Sequence, residues 1–311
     1  MKYISTIINN KYMQIGGFGH IFYDILSSYI IAHLFGLKFV YSPIVSLGFN
    51  HHSGKNFGDR SDDINWDTFL KFYENETRIE ELKNINKVKI NICDAFKTMD
   101  INKLKNFIDS HPDNTLFILS NNNRIYINEL YNYNRKVYNI VFNNLKKKLM
   151  HLKTKKNKIT TISIHIRRGD WDWQPLSYNV EFLKLLKKKE YNINIFSIGT
   201  QNQLEEIKNK FKNFKNITFY FNTDIFDTFK KIYNSDIILA GHSNFPKIIS
   251  LFSDNIIIYL PYNDGIINAL GGFKKFKKFY LGKYPELFDE KKRIETDIYC
   301  KKNRDKIIKF L

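Results

Sequence analysis

The second half of the chain carries the clearest pattern of apolar and polar positions. Short β-branched runs at 159–166, Ile193–Ile198, Ile217–Phe221, Asp236–Ala240 and Ile256–Leu260 alternate with stretches of helical spacing. Continuous apolar runs of this length predict strands buried on both faces of a sheet. Helices are predicted from about Tyr178 to Lys189, from Thr200 onward, from about Asp224 to Tyr233, and from Pro246. Thr200-x-x-Gln203 is a capping-box pattern, and proline suits a first helical position because its missing N–H would be unpaired there anyway. Five strands alternating with four helices predict a doubly wound parallel sheet.

The first half is less regular. Residues 2–8 predict a strand, Gly16-Gly17-Phe18-Gly19-His20 a glycine-rich turn, and His20 to Gly36 a helix, with Ile21, Ile25, Leu26, Ile30, Ile31 and Leu34 on its apolar side and Gly36 as its stop. LKFVYSP predicts a second strand, residues 45–66 a long loop, Val88–Cys93 and Thr115–Leu119 further strands, and Arg124–Leu152 a long helix. The lysine-rich segment after it reads as a join. The expected fold is α/β with two Rossmann-like domains, 1–155 and 156–311. The basic, aromatic tail from Gly271, FKKFKKFYLGKY followed by amphipathic helical stretches, is expected to pack back on the first domain.

Composition narrows this picture. At 311 residues, with 43% hydrophobic and 16% aromatic residues, the chain can bury two cores and is not intrinsically disordered. Its net charge of +18 raises nucleic acid as a partner. The lysines, however, are spread along the whole chain among Asn, Ile, Phe and Tyr, which favours a general residue bias over a dedicated polyanion surface. Cys93 and Cys300 are too few for a disulfide framework or a zinc site, and the adjacent His51 and His52 lack a third ligand nearby. No secretory signal is evident, and the most apolar segment, 21–35, is interrupted by polar residues and too short to cross a bilayer. The expectation is a cytoplasmic protein without a transmembrane segment.

The candidate chemistry lies where the first C-terminal strand ends. ITTISIHIRRGDW runs from a buried strand straight into His165, Arg167, Arg168 and Asp170. Ligands of open parallel sheets bind at the carboxyl ends of the strands, so two guanidinium groups there read as an anion clamp. The residue choice is informative, because the chain holds eight arginines against 41 lysines. Arginine's planar fork can grip phosphate oxygens in pairs, whereas lysine offers a point charge. The alternative is structural ion pairing with Asp170 or Asp172. In AGHSNFP, Ser243 and Asn244 can bind an anion together with the helix N–H groups, or only cap the helix. The glycine turn before His20 is likewise a phosphate cradle or a plain tight turn.

These elements resemble motifs of the fucosyltransferase superfamily that makes α-1,2, α-1,6 and protein O-linked fucose. His165-Ile-Arg167-Arg168-Gly169-Asp170 is similar to its His-x-Arg-Arg-Gly/Thr-Asp motif. Gly16–His20 resembles its N-terminal Gly-x-Gly-Asn/His element, and DTFKKIYNSDIILAGHSNFPKIISLFS its third motif. The resemblance implies a GT-B fold of two facing Rossmann-like domains, an inverting transfer from a GDP-sugar donor, GDP-fucose first, to a hydroxyl of an oligosaccharide or glycoconjugate acceptor, and no obligatory metal or other cofactor. It implies Arg167 on the donor diphosphate with Arg168 and Asp170 beside it, and His165 near the nucleotide. It further implies Asp227 reading guanine with Asp224 as its substitute, Ser243, Asn244 and Phe245 at the β-phosphate turn, and Gly17, Gly19 and His20 closing over the donor. The α-1,6 branch has a glutamate where Pro175 stands here, which leaves Asp172 as the candidate general base. Another nucleotide sugar, and a non-catalytic nucleic-acid-binding protein, remain as alternatives.

Overall fold

The computed structural model describes residues 1–6, 18–44, 66–90, 101–119, 134–155, 158–168, 176–186, 190–240, 243–253, 255–259 and 276–278. The chain forms an α/β fold of two units, and passes from the first to the second between His151 and Leu152. Each unit is built on its own sheet, and every strand pairing in both sheets is parallel.

In the first unit, strands β1 (Tyr3–Ser5), β2 (Lys38–Tyr41), β3 (Thr77–Arg78), β4 (Asn86–Ile90) and β5 (Thr115–Leu119) lie in the order β3-β2-β1-β5-β4. Helix α1 (Phe18–Phe35) connects β1 to β2, and its buried positions run through Phe22, Ile25, Leu26, Tyr29 and Ile30. It ends as the sequence predicts. Gly36 takes φ +65°, and the Leu37 N–H turns back to the Ala32 carbonyl at 2.9 Å, which closes a Schellman motif. Its start differs from the expectation, since Phe18 already belongs to the helix and Gly19 and His20 sit in its first turn. Two short helices, α2 (Trp66–Leu70) and α3 (Ile101–Asp109), were not evident from the pattern. Helix α4 (Arg135–Lys148) is capped by the Asn134 side chain on the Val137 N–H; the expected extension back to Arg124 lies outside the described residues.

The second unit contains β6 (Thr160–His165), α5 (Leu176–Leu185), β7 (Tyr191–Ser197), α6 (Gln201–Phe211), β8 (Ile217–Phe221), α7 (Ile225–Tyr233), β9 (Ile237–Ala240), α8 (Asn244–Phe252), β10 (Ile256–Tyr259) and β11 (Phe276–Lys278). Every predicted strand is present. The sixth, β11, comes from the basic aromatic stretch and pairs with β10, so this part of the tail completes the second sheet. The rest, from 279 to 311, lies outside the described residues. The strand order is β11-β10-β9-β6-β7-β8. Counted within the unit, this is the dinucleotide-binding order 3-2-1-4-5-6, with the reversal between β6 and β9.

Period-two alternation sets what each side of β6 meets. Ile162, Ile164 and Ile166 are fully buried in one core with Leu176, Phe182, Leu183, Leu204, Ile207 and Phe211 from α5 and α6. Burial of each isoleucine contributes roughly 1.5–3 kcal/mol relative to exposure. The intervening Ser163 and His165 face the other way, and the His165 ring meets Phe245 of α8, which in turn meets Phe229 of α7 edge-on. At the start of β6 the backbone of Thr161 exchanges two bonds with Asp236, which fixes the β6–β9 register before the site is reached. The capping box holds as predicted: Thr200 Oγ1 accepts from the Gln203 N–H, and Gln203 Oε1 accepts from the Thr200 N–H at 2.8 Å. Helix α8 begins two residues earlier than expected, with Pro246 inside its first turn.

Candidate active site

The reversal of strand order places two exits side by side. His165, the last residue of β6, is in register with Ala240, the last residue of β9. From β6 the chain leaves through Ile166, Arg167 and Arg168; from β9 it enters α8 behind Ser243. This is the position at which doubly wound sheets leave a crevice.

The exit from β6 is held firmly. The Ile166 N–H continues the ladder to the Phe196 carbonyl at 2.9 Å, and the Ser197 hydroxyl donates to the Ile166 carbonyl at 2.9 Å. The next carbonyl, that of Arg167, accepts from Arg168 Nη1 at 3.2 Å. Arg167 is half-buried, and its positive charge acts on His165, which lies on the face opposite the isoleucines.

Arg168 does not share that face. Its side chain is 3% exposed and lies on the α6 side of the sheet, with Nη2 at 3.7 Å from Glu206 and its Cβ beside Gly199. Adjacent residues of an extended chain point to opposite faces, which accounts for the Arg168 side chain lying with α6. The expected carboxylates Asp170 and Asp172 lie outside the described residues, as does Gly17.

His165 is a neutral ring at physiological pH. Its Nδ1 is buried and has no hydrogen-bond partner among the described residues. Burial, with the positive charge of Arg167 second, lowers its pKa from 6.5 to about 4. A neutral imidazole can donate or accept a hydrogen bond without adding charge to the site.

The α8 turn takes the capping role that the sequence left open. Ser243 is the N-cap, and its hydroxyl accepts from the Phe245 N–H at 3.3 Å. Asn244 is the first helical residue, and Phe245 packs its ring 6.0 Å from that of His165. The end of β6 and the first turn of α8 are thus in direct contact.

At the ends of β7 and β8, Asn222 takes a left-handed φ of 49° and joins the two exits: the Gly199 N–H donates to its Oδ1, its Nδ2 donates to the Gly199 carbonyl, and its own N–H donates to Ser197. Asp224 caps α7 through the N–H groups of Phe226 and Asp227, so its carboxylate is already engaged. Asp227 is exposed in the first turn of α7. Gly19 and His20 belong to the first unit, in α1. Sequence reasoning missed Ser197, Gly199, Glu206 and Asn222. The available signal was Gly199, a glycine between a predicted strand and a predicted cap. No group of His, Cys, Asp and Glu able to hold a metal occurs among the described residues.

No protein-family model and no curated protein matches the sequence of the chain. Solved structures do match. POFUT1 in complex with GDP is similar at 12% identity, covering 83% of this chain and 98% of that one, with a TM-score of 0.46. E. coli heptosyltransferase WaaC with ADP matches at 9% identity over 89% and 92% of the two chains, with a TM-score of 0.47. The lipopolysaccharide outer core galactosyltransferase WaaB, in its apo form, matches at 11% identity over 83% and 80%, with a TM-score of 0.30. The parallel strand order of the two sheets defines the α/β fold. Among the described residues no helix is long and apolar enough to cross a membrane.

Proposed function

We propose that this protein is an inverting, metal-independent glycosyltransferase of GT-B architecture that transfers L-fucose from GDP-fucose to a hydroxyl of a glycan acceptor. The observation that carries the reading is the juxtaposition at the β6–β9 reversal. Arg167 leaves one strand where the N-terminus of α8 follows its neighbour, and the ring contact of His165 with Phe245 ties the two together.

The chemistry asks for such an arrangement. Attack of the acceptor hydroxyl on the anomeric carbon breaks the bond to the diphosphate, and negative charge develops on the departing oxygens. A fixed guanidinium and the positive end of a helix offset that charge without reorganising as the bond breaks. Arg167 is the cation in this proposal, and the Ser243–Phe245 turn supplies the helix end. His165, held neutral, sits behind them beside the nucleotide. Asp227 is the carboxylate assigned to guanine, because Asp224 is occupied with its cap. Asp172 takes the proton from the acceptor hydroxyl.

The test is a donor-hydrolysis and transfer assay across GDP-fucose, GDP-mannose, UDP-glucose and UDP-N-acetylglucosamine, with GDP as inhibitor. Turnover of GDP-fucose with inhibition by GDP supports the proposal, and turnover of a different donor alone replaces fucose with that sugar. GDP should also raise the melting temperature through mass action. If no nucleotide does so and the protein instead binds RNA or DNA with a steep salt dependence, the nucleic-acid reading stands in its place.

A further inference from the structure

We propose that Arg168 is a positioning residue, which fixes Arg167 before any ligand arrives instead of touching the ligand itself. The assignment rests on the reading of Arg167 as the diphosphate-binding cation. Three observations carry it.

The first is direction. β6 alternates strictly, with Ile162, Ile164 and Ile166 in the α5–α6 core and Ser163 and His165 on the opposite side. Arg168 resumes the α6 side. Its guanidinium reaches Glu206, and its stem packs on Gly199 at the end of β7.

The second is the pattern of held carbonyls. Strand β6 ends at His165, and its last ladder bond runs from the Ile166 N–H to the Phe196 carbonyl. Here the Ile166 carbonyl is taken by Ser197 and the Arg167 carbonyl by Arg168 Nη1. The bond to Arg167 comes from a buried cation, and a charged donor makes the stronger kind of hydrogen bond. With its carbonyl fixed, the peptide plane that sets where the Arg167 side chain departs is fixed too. A binding group held in place beforehand loses less freedom when the ligand arrives.

The third is the space made for Arg168. A Cβ built on Gly199 would lie 3.2 Å from the Arg168 Cβ and 2.6 Å from Gln203 Oε1, the capping-box acceptor of α6. Glycine at this position lets the Arg168 stem pass between β7 and the start of α6. The same residue is clamped on both its N–H and its carbonyl by Asn222. The ion pair with Glu206 is secondary, since Glu206 is 60% exposed and water screens the contact. Lysine does not replace arginine here. One ammonium at the end of a flexible stem cannot turn back to its neighbour's carbonyl and also face α6, as the two ends of a guanidinium do.

Two readings test this on folded protein: the affinity for GDP by calorimetry, and the heteronuclear NOE of the Arg167 Nε–H in ligand-free protein. Arg168→Met should weaken GDP binding by about tenfold or more, the scale of a misplaced binding group, and lower the Arg167 NOE toward that of a mobile side chain. Arg168→Lys should restore little of either, and Glu206→Gln should stay within about threefold of wild type. Gly199→Ala displaces the stem without removing the guanidinium and should move both readings in the same direction, so it serves if Arg168→Met does not fold. Lost affinity with an unchanged Arg167 NOE would mean that Arg168 meets the ligand directly, and overturns the proposal. Unchanged affinity in folded Arg168→Met or Gly199→Ala overturns it as well. If wild type binds no GDP, the reading of Arg167 fails; the positioning role then stands or falls on the NOE alone.

Discussion

Lys148 offers a test of how the first unit is held together, independent of any ligand. It sits in the last turn of α4 with its side chain 13% exposed. Its ammonium donates to the Phe72 carbonyl at 2.8 Å, the Glu74 carbonyl at 2.6 Å and the Glu76 carboxylate at 2.7 Å. The Tyr29 hydroxyl of α1 donates to the same carboxylate oxygen at 2.7 Å, and its ring stacks on Phe39 of β2 at 3.7 Å. One side chain thus joins α4, α1 and the segment leading into β3. Burial and the negative charge of Glu76 both drive the Tyr29 pKa upward, so the phenol stays protonated and remains a donor. Lys148→Met keeps most of the stem and removes three donors. Cutting one partner from a buried pair costs roughly 3–5 kcal/mol. Glu76 is 20% exposed, so water recovers part of this and the expected loss is about 3 kcal/mol. For a unit of this size that corresponds to a fall in melting temperature of about 6–12 °C. Calorimetry of wild type, Lys148→Met, Glu76→Gln and the double variant measures both the fall and the coupling, which should be about 1–3 kcal/mol. A fall below about 2 °C, or additivity within about 0.5 kcal/mol, would refute the reasoning.

Three further outcomes are expected. The folded state favours the neutral His165 ring, with a pKa of about 4, while the unfolded chain takes up a proton near the ordinary 6.5. As pH falls through that window the unfolded state binds a proton that the folded state resists, so stability declines by up to about 3 kcal/mol and then levels. Denaturant titrations should show a shallower decline for His165→Phe over the same window; equal slopes would contradict the assignment. Gly36→Ala forces a Cβ into the left-handed C-terminal position of α1 and should cost about 1 kcal/mol in urea unfolding, whereas a neutral or stabilising effect would refute the Schellman assignment. Asp227→Asn should reduce the preference for GDP over ADP in calorimetry by about tenfold or more, while Asp224→Asn should leave it nearly intact; the reverse order would move guanine recognition to Asp224.

The second unit was legible because its central strands β6 and β9 are almost wholly buried. β9 and β10 are runs of isoleucine and β6 is β-branched from Thr160 to Ile162, and the α6 cap is spelled out by Thr200 and Gln203. The first unit was harder for the complementary reason. β3 is two residues long, and β4 (NKVKI) is an edge strand with only Ile90 buried, so its start at Asn86 was not evident although a strand from Val88 was. α3 shows its inner face only through Ile101, Leu104 and Ile108 among polar neighbours. β11 was hidden in FKK, where lysines read as tail. At the site, the motif put both arginines at the exit of β6 but did not show the division of direction between them. That division follows from alternation at the strand exit, already implicit in the buried isoleucines at 162, 164 and 166. The roles of Ser197 and Asn222 depend on which strands neighbour one another, and no local pattern carries that information.

The central claim is that the exit of β6 and the first turn of α8 hold a diphosphate through Arg167. Calorimetric titration of GDP and GMP into wild type and Arg167→Ala tests it most directly. The account predicts that wild type prefers GDP to GMP, and that Arg167→Ala remains folded, loses affinity for GDP by about a hundredfold and binds GMP nearly as before. Equal GDP affinity in the two proteins, or no preference of wild type for the diphosphate, would contradict it.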